Sequence, residues 1–91
     1  MDRSRLETRL VERFDADPAV AHVVARAAGD LVDSGSYPTD VDASLTVEVV
    51  IANLADAPDG TDLAGRWNWW MGALELSHGG YDRFCVRPDA V

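Results

Sequence analysis

Residues 62–78, DLAGRWNWWMGALELSH, constrain this chain more than any other stretch, because they read as a helix that is apolar on two opposite sides. Thr61 is placed to cap that helix, Asp62 favours its positive end, and Gly79 and Gly80 stop it. At about 100° per residue, Leu63, Trp67, Trp70, Met71, Leu74 and His78 share one face. Trp69 and Leu76 point the opposite way, flanked by Gly65, Gly72 and Ala73. The first face predicts core. The second has no place on a helix with one wet side, since a covered Trp buries about 150–250 Å². Gly costs about 1 kcal/mol in a helix relative to Ala, which is explained if another backbone approaches there. Gly65, Trp69, Gly72, Ala73 and Leu76 are therefore expected to form an interface. Residues 81–86, another helix of the chain or a second copy are the candidates to cover it, with a homodimer the expected outcome.

The remaining elements follow from periodicity and punctuation. Residues 4–14 form an amphipathic helix with Leu6, Leu10, Val11 and Phe14 on one side and a capping box of Ser4 and Glu7. Asp17 caps a second helix at 18–34, with Pro18 in its first turn, a stripe from Val20 to Leu31, and Gly35 as the stop. SGSYPTDVDAS reads as a linker of turn formers. LTVEVVIANLADAP carries two patterns. Leu45, Val47, Val49 and Ile51 alternate as in a strand, whereas Val47, Val50, Ile51 and Leu54 form a helical stripe that Ser44 or Thr46 would cap; helix is favoured. YDRFCVRP reads as an extended segment packed back on the body. The expected fold is mainly α, about four helices with a short extended C-terminal segment, in one domain spanning 1–91. The alternative is α+β with strands near 45–51 and 81–87.

Charge narrows the function classes. Of 91 residues, 16 are acidic and 8 basic, a net charge of −8, and every basic residue is Arg. The missing lysine removes Schiff-base chemistry and any Walker motif. The acidic balance argues against broad nucleic-acid binding, which needs a cationic face. It also has the look of a halophilic protein, in which concentrated salt screens self-repulsion. No apolar run approaches the roughly 18 residues of a membrane span, and MDRSRLETRL lacks the pattern of a signal peptide. Cys85 has no internal partner, which with the absent leader predicts a cytoplasmic protein with a structural thiol.

Few residues suggest chemistry. Glu75 and His78 form Glu-x-x-His, the spacing of carboxylate di-metal bundles, with Glu48 a possible further ligand. The plainer reading puts His78 at a helix C-terminus, where a positive charge is favoured. His22 falls opposite its helix's apolar stripe, near Arg26, and reads as solvated. Asp56, Asp59 and Asp62 read as turn and cap residues without the EF-hand spacing. No nucleophile motif is present, so no catalytic residue, metal or cofactor is expected. Arg5, Arg9 and Arg13 make a basic stripe on the first helix, suited to acids of the same chain, an acidic partner or DNA phosphates.

The stretch NLADAPDGTDLAGRWNWWMGALELSHGGYDRFCVRP, about the last 40 residues, resembles small uncharacterised haloarchaeal proteins. These share an Arg-Trp-Asn-Trp-Trp block followed by Leu-Glu, Gly-Gly-Tyr and Phe-x-Val-Arg. The resemblance implies no function. The reading is a non-enzymatic interaction or accessory protein that self-associates through helix 62–78. Alternatives are a DNA-associated regulator using the Arg stripe, and a small-ligand or metal-binding protein around Trp67, Glu75 and His78.

Overall fold

Four of the five α-helices among the described residues begin where the side chain of the capping residue satisfies a backbone N–H group that has no partner inside the helix. In the computed structural model, which describes residues 1–87, α1 (Arg3–Phe14) is capped by Asp2, whose carboxylate accepts from the Arg5 N–H at 3.0 Å. The expected Ser4–Glu7 box does not form. Ser4 lies inside the first turn, and Glu7 instead approaches the His22 ring at 3.2 Å. A carboxylate both accepts the N–H bond and meets the positive end of the helix dipole, so it outcompetes a nearby hydroxyl. The same holds for α5 (Leu63–His78): Asp62, not Thr61, is the cap, accepting from the Gly65 N–H at 2.8 Å.

α2 (Pro18–Ser34) starts on Asp17 and ends on Gly35 in the left-handed region, as its punctuation predicts. The expected linker after it is a correction. Residues Ser36–Val41 form a short helix, α3, because Tyr37 is buried and sets its ring edge-on to Trp70 at 5.9 Å. α4 (Val47–Ala55) resolves the ambiguous stretch as helix. Thr46 caps it, and the helical stripe Val47, Val50, Ile51 and Leu54 is the buried one. Among the described residues there is no strand, and the fold is mainly α.

The C-terminal segment packs back as expected, but as a 3₁₀ turn at Asp82–Phe84 rather than an extended run. Tyr81 and Phe84 are both buried. Side chains three apart leave a strand on opposite faces, whereas in a 3₁₀ turn they eclipse, so only the turn sends both inward. The core is one contiguous cluster from Leu6 to Phe84, in which α5 meets α2, α4 and the closing turn. Along α5 the inner stripe runs through Leu63, Trp67, Trp70 and Met71; Leu74 is half-buried, and His78 is exposed instead of sharing the core face. No helix among the described residues is long and apolar enough to cross a membrane.

Candidate interaction surface

The five residues Arg66 to Trp70 divide sharply by what they touch. Arg66 donates to the Thr61 carbonyl at 2.9 Å and to the Leu54 carbonyl at 3.0 Å, a cation at the carbonyl end of α4, and lies 5.2 Å from the Phe14 ring centre. Trp67 is fully buried and donates its indole N–H to the Phe84 carbonyl at 2.8 Å. Asn68 makes a reciprocal pair with Val86. Its amide donates to the Val86 carbonyl at 2.7 Å while its oxygen accepts the Val86 N–H at 2.8 Å. Trp70 fills the core, edge-on to Trp67 at 5.5 Å. Four of the five thus hold the chain's own elements together.

Trp69 does none of this. It is 41% exposed, and among the described residues its side chain makes no hydrogen bond and no ring contact. Leu76, two turns on, is 90% exposed. The exposed positions of α5 are Trp69, Ala73, Leu76, Ser77 and His78, and none is acidic. Among the described residues the second apolar side of α5 is thus only partly covered at Trp69 and left open at Leu76.

The two glycines of that side have different reasons. A Cβ at Gly65 would lie 2.7 Å from the Thr61 methyl and 3.0 Å from the Asp62 carboxylate, so this glycine makes room for its own helix cap. The cap accounts for Gly65 without a second backbone. A Cβ at Gly72 would meet nothing within 4 Å, so no contact among the described residues accounts for it.

The alternative constellation of Trp67, Glu75 and His78 is not assembled. Trp67 is sealed in the core. Glu75 turns its carboxylate back onto the N–H groups of Gly80, Tyr81 and Asp82, at 3.0 to 3.1 Å, and so fastens the start of the C-terminal segment. The Asp82 N–H, with those of Gly80 and Tyr81, holds its carboxyl below the usual range against the opposing effect of burial. Glu48 pairs with Arg5, which lowers its pKa in the same way. The Arg stripe is thereby partly spent on its own chain. Half-buried Arg9 adds its charge to the field at Glu48, and Arg13 lies 5.1 Å from the Phe14 ring centre. Tyr81 donates its hydroxyl to Asp40 at 2.8 Å, and burial, aided by that carboxylate, pushes its pKa up to about 12.

The Trp67–Trp70 run is also what identifies the chain. A family model of the WNWW domain matches residues 1–75. The chain belongs to that family. The matched span takes in α1 to α4 and most of α5, whereas the partners of Trp67 and Asn68, Phe84 and Val86, lie beyond it. No curated protein and no solved structure matches the chain. Within the WNWW domain, residue type alone pointed to tryptophan as the functional part of the block. The clasp made by Asn68 and the carbonyl-binding role of Arg66 were missed, because their partners are set by how α5 packs and not by neighbours in sequence.

Proposed function

We propose that this protein is a non-enzymatic interaction protein that self-associates through the outer face of α5. The observation that carries the reading is Trp69, the one member of the Arg66–Trp70 run that is exposed and, among the described residues, makes no side-chain hydrogen bond or ring contact. Among the described residues the other large exposed apolar side chains are Leu76 on the same face, Met1 and Val41. Trp69 and Leu76 stand about 10.5 Å apart along the helix, with Gly72 and Ala73 between them. A two-fold axis crossing near Gly72 sets Trp69 of one copy against Leu76 of the other, the self-complementary arrangement of an isologous dimer.

A second copy suits this face better than a charged partner. The chain carries −8, yet the exposed positions of α5 itself carry no carboxylate, so two copies can meet at Trp69 and Leu76 without placing like charges in direct contact there. Two Trp and two Leu make a hot spot rather than a full interface, since stable contacts bury about 1,200–2,000 Å². The dimer is therefore expected to depend on protein concentration and to strengthen with salt, which screens the repulsion between acidic copies. The same argument supports adaptation to high salt.

Sedimentation velocity at molar and at low salt tests this reading. The expected result is a reversible dimer at high salt that Trp69→Ser dissociates. A protein that is monomeric at all concentrations, or a Trp69→Ser variant that remains dimeric, overturns it.

A further inference from the structure

Between them, α2 and the closing turn leave a cleft of about 300 Å³ whose charge runs against that of the chain. Arg26, Arg83 and Arg87 line it, and among the described residues Asp30 is its one carboxylate. In a protein of net charge −8, three of its 8 basic residues thus border one small cavity. Among the described residues none of these three is in an ion pair; the pairs formed are Arg3–Asp33, Arg5–Glu48 and His22–Glu7. His22 also borders the cleft, but its ring is directed to Glu7. The Arg83 guanidinium lies 4.8 Å from the Phe84 ring centre, which restrains it at the rim. Burial, then the Asp82 and Glu75 carboxylates, push the Cys85 thiol up, so this lining group stays neutral and cancels no positive charge. Val23, Ala27, Phe84 and Val86 supply apolar lining beneath the cations.

We propose that this cleft binds a small organic anion, a phosphate or carboxylate carried on an apolar body. Guanidinium groups offer paired donors matched to the oxygens of either anion, and a site that leaves them unpaired leaves that capacity to a ligand. The apolar lining matches a hydrocarbon or aromatic body, and the volume stands at the small end of ligand pockets. A nucleic-acid strand fits this geometry poorly, because its backbone needs a continuing cationic track and the chain as a whole carries −8.

Titration of the full chain at fixed ionic strength, followed by ¹H–¹⁵N NMR, tests the proposal. The probes are phenyl phosphate, benzoate, inorganic phosphate and benzyl alcohol. Phenyl phosphate or benzoate is expected to give saturable shifts confined to residues 22–30 and 83–87, and the tighter of the two names the anion. Inorganic phosphate and benzyl alcohol, each lacking half of the ligand, should bind at least about tenfold more weakly. Arg26→Gln and Arg83→Gln should each weaken binding about tenfold, Arg83→Lys should restore only part of it, and Trp69→Ser should leave it unchanged. The bound anion should also slow alkylation of Cys85 by iodoacetamide. Shifts that grow linearly and spread over the surface overturn the proposal. So do Arg variants that bind as the parent does, inorganic phosphate binding as tightly as phenyl phosphate, or a DNA duplex that saturates the cleft where the small anions do not. Because neither Trp69 nor Leu76 lines the cleft, a failure here leaves the dimer test standing, and the reverse.

Discussion

Trp67 and Trp69 stand two residues apart on one helix and live in opposite environments. Trp67 is fully buried, its indole N–H bonded to Phe84, whereas Trp69 is 41% exposed with no bonding partner among the described residues. Two residues on a helix turn the side chain by about 200°, enough to carry it from the core to the far side. The comparison separates the two uses of a tryptophan in a chain this small. One adds apolar area and a hydrogen bond to a core that has little to spare. The other leaves 41% of its surface outside it, area that becomes stabilising only when something arrives to cover it.

The largest expected effect breaks the comparison if it is wrong. Trp67→Ser or Trp70→Ser removes a core aromatic at a cost of about 3–5 kcal/mol, close to the whole stability of a small domain, and should abolish the cooperative helical melt seen by circular dichroism. Trp69→Ser should melt as the parent monomer does, to within about 1 kcal/mol. Equal loss for all three would mean that the outer face is also core.

The clasp around Trp67 sharpens the inner half of the contrast. Asn68→Ala leaves the Val86 N–H and carbonyl without partners and should cost about 1–3 kcal/mol. Amide exchange at Val86 should accelerate in that variant and not in Trp69→Ser. If Trp69→Ser releases Val86 too, the two faces are coupled.

Titration probes the same inner side from both ends of the pH scale. Tyr81 ionises near 12 in the fold against an ordinary value of 10.0, so the folded state holds the proton more tightly. Its contribution is complete below about 10 and is lost as pH rises towards 12. Absorbance at 295 nm should show tyrosinate appearing together with unfolding, and Tyr81→Phe should remove that alkaline loss. Glu75 works in the other sense. Its lowered pKa means a contribution present above the ordinary carboxyl value of 4.5 and lost as pH falls through the folded value. Glu75→Gln should flatten that acid limb and free the amides of residues 80–82 to exchange.

The smallest effect tests the outer side. Gly72→Ala meets no atom within 4 Å and should stabilise the monomer by about 0.5–1 kcal/mol. If a second helix backbone approaches at that point, the same methyl should weaken the dimer in sedimentation. A variant that is both more stable and equally dimeric would move the dimer contact away from Gly72.

Much of this arrangement was legible before any coordinates. The spans of α2 and α5, the helical stripe of α4 and the two-sidedness of the Trp helix all follow from spacing within a few turns, and such local periodicity survives folding because the same backbone bonds impose it. The caps were nearly legible. Asp2 and Asp62 displaced Ser4 and Thr61 in a contest between neighbours that charge decides.

What lay beyond reading depended on contacts between distant parts of the chain. SGSYPTDVDAS has the composition of a linker, and only the arrival of Trp70 beside Tyr37 makes part of it a helix. YDRFCVRP has the composition of a strand, and only a core waiting on one side turns Tyr81 and Phe84 the same way. Arg26, Arg83 and Arg87 share a cleft because α2 and the closing turn are packed together, which no local pattern records. The sequence by itself determined where helices begin and which of their faces are apolar, since those depend on residues within hydrogen-bonding reach along the chain. Tertiary structure alone decided which apolar face is covered, which polar side chain finds a carbonyl and which charges are left without partners. Those outcomes are set by what stands opposite each residue in space, and burial and pairing are properties of that neighbour as much as of the residue itself.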